Sequence, residues 1–269
     1  MTEATLSELI DTVSPSRIDT ATTCLARFRF RYLERIRGPK RIAMSFGSAL
    51  DAASNSCYQR KIDEPGYTMP ASEVADCFAA EWDSEQEQIE DWGKDKPDEM
   101  LDTGVKCSTL WRDNVAQYVA PLQVQPKLVK ELKDSRGDKF TLLGYPDVIA
   151  TVRNQTAIAD LKTSGKVYAT NSIVKRSQPP AYTILAEIPR FEYHVVTTAK
   201  KPKVQLLGAT VSDTQRQNWI DRAGMVRRHV AHAHKTGDWI PNRGHMTCSR
   251  RFCDHWRECE KAYGGEVSP

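Results

Sequence analysis

Two aspartates and a lysine carry the strongest chemical signal in this 269-residue chain. They lie in the run Gly144-Tyr145-Pro146-Asp147, followed thirteen residues later by Asp160-Leu161-Lys162. Residues two apart on a strand share a face, so a strand through Thr156–Leu161 points Asp160 and Lys162 the same way. If Arg153-Asn154 is the two-residue loop of a hairpin, its register stands Asp147 opposite Asp160, with Cβ atoms roughly 5 Å apart. Two carboxylates that close repel unless a cation lies between them, and hard oxygen donors suit Mg²⁺ or Mn²⁺. A neighbouring lysine would orient or deprotonate a water, or stabilise charge growing on a phosphate. The chemistry implied is metal-assisted hydrolysis of a phosphodiester. A surface hairpin with exposed acids reads the same over Asp160-Leu161-Lys162 alone, so the motif gains meaning only in company.

A second constellation is Cys248-Ser-Arg-Arg-Phe-Cys253-Asp-His-Trp-Arg-Glu-Cys259. Three thiols within a dozen residues can converge on one metal centre, with a fourth ligand from elsewhere. A structural Zn²⁺ and an iron–sulfur cluster would both accept thiolates. Cys57, Cys77 and Cys107 stand alone in helical stretches and read as small core hydrophobes. His229, His232 and His234 have no adjoining acid and read as part of a basic helix face. Trp239, Phe252, Trp256 and Tyr263 read as packing for a small metal-stapled lobe, with base stacking as the alternative.

Lys and Arg number 38 against 35 Asp and Glu, a net charge of +3, so whole-chain electrostatics announce no polyanionic partner. Locally the balance is uneven. Residues 14–41 hold eight basic residues and two acids, and Arg27, Arg31 and Arg35 would share one helical face, either a phosphate-facing surface or a solvated one. Residues 81–102 reverse the sign, with ten acids. With 40% hydrophobic residues the chain can build a substantial core, which excludes a disordered or collagen-like protein. No apolar run nears the roughly 20 residues needed to span a bilayer, and the first residues are acidic where a secretory signal needs bases. The expected location is cytoplasmic, with cysteines as thiols or metal ligands.

These groups need elements to hold them. Ser14-Pro15 predicts a helix start, and apolar residues from Ile18 to Ile36 continue it to Gly38-Pro39. Further helices are expected at about 43–61, 70–92 and 100–120. After Pro126, short β-branched runs at 127–132, 140–143, 148–152 and 156–161 read as a meander. A helix near 180–188, strands at 191–198 and 203–209, a helix from its cap Ser212 to about 235 and an irregular tail complete the reading. The expected organisation is one integrated domain: a helical region 1–125, a core 126–236 and a Cys-rich closing tail 237–269.

Taken in order, these pieces resemble the PD-(D/E)XK nuclease superfamily, in particular its RecB-like and AddB-like branch and the CRISPR-adaptation exonucleases. The matching residues are Cys24, Gly47-Ser-Ala-Leu-Asp51, Glu131, Gly144-Tyr-Pro-Asp147, Asp160-Leu-Lys162-Thr163, Gln178-Pro-Pro-Ala-Tyr182 and the three tail cysteines. The resemblance implies an α/β fold with a mixed central sheet of the restriction-endonuclease type flanked by helices. It implies Asp51, Asp147, Asp160 and the Leu161 carbonyl around Mg²⁺ or Mn²⁺, Glu131 supporting the site, and Lys162 as base or charge stabiliser. It implies Gln178 and Tyr182 on DNA or bracing the site, and a [4Fe–4S] cluster on Cys24, Cys248, Cys253 and Cys259. The expected activity is a DNA exonuclease on single strands or frayed ends, with DNA, further copies of the chain, or recombination and CRISPR proteins as partners. Asp51 stands where the family has a metal-binding His, and Pro179-Pro180 interrupt the Gln-x-x-x-Tyr element, whose helix is expected to begin near Gln178. Asp51 keeps open a catalytically silent DNA-binding or complex-forming module, and an RNA substrate also stays open.

Overall fold

The computed structural model describes residues 3–90 and 92–268. Helix α1 (Glu3–Asp11) runs into a two-residue strand β1 (Thr12–Val13). Ser14 caps α2 (Pro15–Thr23) by accepting the Arg17 N–H at 3.3 Å, with Pro15 in the first turn. At Cys24 the backbone turns extended (φ −165°, ψ 117°), which ends α2 and starts the short α3 (Leu25–Phe28). A π-helical turn, Arg29–Leu33, follows. Then come α4 (Ile42–Asp63), α5 (Ala71–Gln86) and α6 (Pro97–Asn114), a 3₁₀ turn (Ala116–Tyr118), and strands β2 (Val119–Val124), β3 (Leu128–Lys133), β4 (Lys139–Gly144), β5 (Val148–Val152) and β6 (Gln155–Ser164). The rest is α7 (Ser172–Lys175), α8 (Gln178–Ala186), β7 (Arg190–Thr197), β8 (Val204–Thr210), α9 (Asp213–Thr236) and α10 (Trp256–Tyr263). Ser212 and Gln215 form a reciprocal capping box on α9, and Gly237 at φ 82° closes it.

These elements gather into two compact units, each assembled from separated stretches of chain. The first takes residues 1–38, 128–144 and 212–269. Its sheet has the order β1-β4-β3, with β1 parallel and β3 antiparallel to β4. Ala21, Phe28, Leu33, Val230, Ala233 and Trp239 form its core. Gly224 of α9 lies so close to Asp134 that a Cβ there would meet the carboxylate at 2.1 Å. Arg228, one turn further along α9, donates to that buried carboxylate at 2.6 Å.

The second unit takes residues 39–127 and 145–211 and is a five-stranded mixed sheet flanked by helices. Its order is β2-β5-β6-β7-β8, with β6 and β7 parallel and the other neighbours antiparallel. The expected α/β class with a mixed central sheet is what the chain adopts. Phe46, Leu50, Phe78, Trp82 and Trp111 from the helices pack with Ala150, Ala157, Ala159 and Val196 of the sheet in one core. The small residues on β5 and β6 let large aromatic side chains approach.

Most elements fall where the sequence pattern puts them, and five readings are corrected. The basic segment is not one helix: the break at Cys24 and the π turn end the four-residue repeat, and Arg35 has a left-handed φ of 56° beyond the turn. Arg27, Arg31 and Arg35 therefore share no helical face. The four strand runs are not one meander either, since β3 and β4 pair with β1 in the first unit, and β5 and β6 belong to the second. The helix expected to reach residue 120 stops at Asn114, and β2 follows as an edge strand, the position in a sheet that tolerates Pro121. The tail contains α10. Helix α5 ends at Gln86, short of the expected 92, and Asp91 in that acidic stretch lies outside the described residues.

In the second unit, α6 crosses α5 at Gly104, where an added Cβ would sit 1.9 Å from the Phe78 ring. Phe78 is fully buried and stacks on Trp82, so it has nowhere to retreat. Gly104→Val should therefore destabilise the protein by about 1–3 kcal/mol, the usual range for overpacking. Thermal denaturation checks this, with Gly165→Ala, where nothing lies within 4 Å, expected to leave the melting temperature unchanged.

Candidate functional site

The hairpin of β5 and β6 turns at Arg153 and Asn154, both left-handed (φ 50° and 62°), which is the geometry a two-residue hairpin loop requires. Its register pairs Val148 with Ala159 and Val152 with Gln155. Asp147 thus stands one step beyond the last pair, at the level of Asp160. Its Oδ2 accepts the Leu161 N–H at 2.7 Å, which locks the carboxylate onto the neighbouring strand. Lys162 lies two residues beyond Asp160, and its ammonium closes on the Asp160 carboxylate.

Helix α4 brings the third carboxylate. A Cβ added at Gly47 would lie 3.4 Å from the Thr163 hydroxyl of β6, and this approach carries Asp51, one turn later, to the same end of the hairpin. Asp51 Oδ2 accepts from Gln125 Nε2 at 2.9 Å and Asn55 Nδ2 at 3.3 Å. Gln125 is held by its own N–H, which donates to the Asp147 carbonyl at 2.9 Å. Tyr58, two turns after Asp51 on α4, buries its hydroxyl beside Asp147.

Burial and mutual repulsion dominate the electrostatics here. Asp160 is 1% exposed. Burial lifts the Asp147 carboxyl well above the usual carboxylate range, and the Asp160 and Asp51 charges lift it further. Burial likewise raises Asp51 against the pull of its Asn55 hydrogen bond. For Lys162, burial disfavours the charge, yet Asp160 and Asp147 outweigh it and hold the ammonium above its ordinary range. Asp51 Oδ1 and Asp160 Oδ1 are buried with no hydrogen-bond partner. Among the described residues no three His, Cys, Asp or Glu side chains stand as a ready-made metal-binding group. The three acids nevertheless fit a hard divalent ion: each is an oxygen donor, two have an orphaned buried oxygen, and only cationic charge relieves their repulsion.

Helix α8 starts at Gln178 with Pro179 in its first turn, so the prolines begin the helix and do not break it. One turn later it delivers Tyr182 against the same centre. Gln178 hydrogen-bonds the buried Tyr182 hydroxyl, which burial and then Asp160 push up to about 12. The hairpin, α4 and α8 thus bring together Asp51, Asp147, Asp160, Leu161, Lys162, Gln178 and Tyr182. Glu131 lies exposed on β3 in the first unit, outside the unit that carries the carboxylates. Asn55, Gln125, Tyr58 and Tyr193 were missed by sequence reasoning. Asn55 and Tyr58 were legible as the i+4 and i+7 positions from Asp51, whereas Gln125 enters through a loop and left no signal.

Within the first unit, Cys24, Cys248, Cys253 and Cys259 line one cavity together with Arg27, Phe30, His245 and His255. Cys24 sits at the break between α2 and α3 and accepts the Asn242 N–H at 3.4 Å on its sulfur. Burial pushes the Cys253 and Cys259 thiols up. Cys57 and Cys107 are buried in the other unit's core. Arg27, expected on nucleic acid, pairs with Asp254 at 3.4 Å, while Arg31 and Arg35 are exposed, as are His229, His232 and His234 of α9.

The family model of the PD-(D/E)XK nuclease superfamily matches residues 12–260. No curated protein matches the sequence. Among solved structures, the chain is similar to a "putative exonuclease" from Eubacterium rectale, with 17% identity, a TM-score of 0.53, and coverage of 90% of this chain and 88% of that one. At that identity the likeness is one of fold. A structure of SSO0001 is similar at 11% identity and a TM-score of 0.40, over 91% of this chain and 84% of that one, and carries no argument. Among the described residues no helix is long and apolar enough to cross a membrane.

Three acids gathered at one buried end of the hairpin should limit stability when no cation is present. Asp147→Asn keeps an oxygen for the Leu161 N–H and removes an ionisable carboxyl from the cluster, so in EDTA it should raise the melting temperature. It should also abolish the gain in melting temperature that added Mn²⁺ gives the unmutated chain. A lower melting temperature in EDTA would contradict the assigned repulsion.

Proposed function

The chain belongs to the PD-(D/E)XK nuclease superfamily, and from that premise we propose that it is a metal-dependent exonuclease that hydrolyses phosphodiester bonds of DNA at single-stranded or frayed ends. The observation that carries this reading is the cluster of buried Asp160 and half-buried Asp51 and Asp147 beside Lys162, with a carboxylate oxygen of Asp51 and of Asp160 orphaned. A purely structural hairpin has no use for such an arrangement, because it costs stability.

In this reading Asp51, Asp147, Asp160 and the Leu161 carbonyl hold Mg²⁺ or Mn²⁺. The bound ion supplies Lewis-acid polarisation of the phosphate and a more acidic water. Lys162 donates its ammonium hydrogens to the phosphate oxygens on which charge grows. The Leu161 N–H keeps Asp147 in place, Gln125 and Asn55 orient Asp51, and Gln178 fixes the Tyr182 hydroxyl toward the centre. Exposed Arg31 and Arg35 offer charge to a nucleic-acid backbone. A [4Fe–4S] cluster on Cys24, Cys248, Cys253 and Cys259 completes the proposal for the first unit, supported by their placement around one cavity. Recombination, repair or CRISPR adaptation is the proposed setting. Asp51 in place of the family's His favours a second reading, a catalytically silent DNA-binding module.

Digestion of end-labelled single- and double-stranded DNA, and of RNA, with Mg²⁺ or Mn²⁺ separates these readings. Asp160→Ala and Lys162→Ala should each reduce cleavage by roughly 10²-fold or more while leaving DNA affinity largely intact. Cleavage at the unmutated rate by either variant would remove the assigned site, and an inactive unmutated chain that still binds DNA would favour the silent module.

Protein purified without oxygen should be brown, with about four irons per chain. Cys253→Ser should bleach it and lower the melting temperature, whereas Cys57→Ser and Cys107→Ser should keep the colour. A colourless protein with one zinc per chain would replace the cluster by a thiolate zinc site.

A further inference from the structure

Between the carboxylate strand and α8 the chain carries a cation whose position is unusually well determined for an exposed side chain. From Ser164 to Ala186 there are three basic residues, Lys166, Lys175 and Arg176, and no acid. The Arg176 guanidinium lies 4.2 Å from the centre of the Tyr168 ring and 5.7 Å from that of Tyr193. The two rings meet edge to face with centroids 6.1 Å apart. Among the described residues Arg176 makes no ion pair with an acid.

Both rings are fixed from behind. The Gln205 side chain of β8 takes the Tyr168 N–H at 2.8 Å and donates to the Tyr168 carbonyl at 3.0 Å, so Tyr168 is pinned through both backbone polar groups. Tyr193 is buried on β7 and pairs in register with Asp160 of the adjacent parallel strand. Its hydroxyl is buried without a hydrogen-bond partner. Burial and then Asp160 raise that hydroxyl's pKa, while Arg176 lowers it, so the carboxylate and the guanidinium act on one group.

Stacking uses the face of a guanidinium and leaves its in-plane N–H donors free. A planar fork of donors matches two oxygens of a phosphate, and a fork already held in place loses less entropy on binding than a free one. We propose that Arg176, held over the Tyr168 ring and beside Tyr193, forms a phosphate-binding subsite beside the Asp147–Asp160 centre and takes a phosphate of the nucleic-acid strand. The ligand class rests on the nuclease reading; the subsite places one phosphate next to the bond that is cut. That phosphate is either internal to the strand or a 5′-terminal one.

The test measures binding without turnover. Fluorescence anisotropy of labelled oligothymidine, with and without a 5′-phosphate, is recorded over a range of salt on the Asp160→Ala chain and on the same chain with Arg176→Ala or Arg176→Lys. Arg176→Ala should weaken affinity about tenfold, as expected for one charge-assisted contact, and reduce the salt slope by roughly 0.7. Arg176→Lys should restore the slope and only part of the affinity, because it keeps the charge and loses the fork. Equal losses on both oligonucleotides assign an internal phosphate, and a loss confined to the 5′-phosphorylated one assigns the terminal phosphate. Unchanged affinity and slope in Arg176→Ala on both would overturn the subsite. An unmutated chain that cleaves nothing, with binding still dependent on Arg176, would remove the catalytic reading and leave the subsite standing.

Discussion

Gathering three carboxylates, one of them buried and two half-buried, at one end of a hairpin is the constraint on which the second unit's architecture depends. Like charges at that separation disfavour the folded state, so the chain must hold Asp51, Asp147 and Asp160 in place with interactions formed elsewhere. It does so with backbone. Asp147 is tied to the Leu161 N–H and its carbonyl to Gln125, so the hairpin end and the β2 edge are joined through the same residue. The two-residue turn sets the register, and a slip of one residue would send Asp160 and Lys162 to the opposite face. The aromatic core beneath, with Phe46, Trp82 and Trp111 against the alanines of β5 and β6, supplies the burial that offsets the electrostatic cost.

The first unit meets a different constraint. Its chain arrives in three separate pieces, and the α2–α3 break at Cys24 and the tail cysteines are more than 200 residues apart in sequence yet line one cavity. Closing a loop of that length carries a large entropy cost, which packing alone must meet unless a shared centre draws the ends together. The Asn242 side chain donates to the Thr23 carbonyl at 3.0 Å while its N–H reaches the Cys24 sulfur, so part of that closure is already made by hydrogen bonds. Gly38 shows how tight the packing is, since a Cβ there would lie 2.4 Å from that of Asp254.

Much of this was legible in the residues because local signals agreed. The strand runs, the Arg153-Asn154 turn, the Ser212 cap and the Gln178 start all depend on interactions within a few positions, and the sequence pattern located each of them. The hairpin register followed from the turn alone. What failed were readings that needed long-range information. Nothing within 127–152 tells that β3–β4 and β5 join different sheets, because Tyr145-Pro146 looks like any other polar turn. The Cys24 break was hidden because Leu25, Phe28 and Leu33 keep an apolar spacing that a continuous helix would also produce. Gln125 was invisible for a related reason: its side chain reaches Asp51 from a residue at φ 43°, which only the fold can impose.

Position 51 is shaped by its hydrogen-bond donors. Both Gln125 and Asn55 direct amide hydrogens at its Oδ2, and its Oδ1 remains free for a cation. A neutral imidazole offers a single acceptor nitrogen, and that nitrogen would have to serve the metal, leaving two donors without a partner. The surroundings of position 51 are therefore built for a carboxylate and not for a histidine. Cations stand at two depths around the carboxylates: Lys162 in contact with Asp160, and Arg176 over the Tyr168 ring and beside Tyr193. On the proposed reading, the outer cation helps to draw in a polyanionic strand that the carboxylates' own charge would otherwise repel.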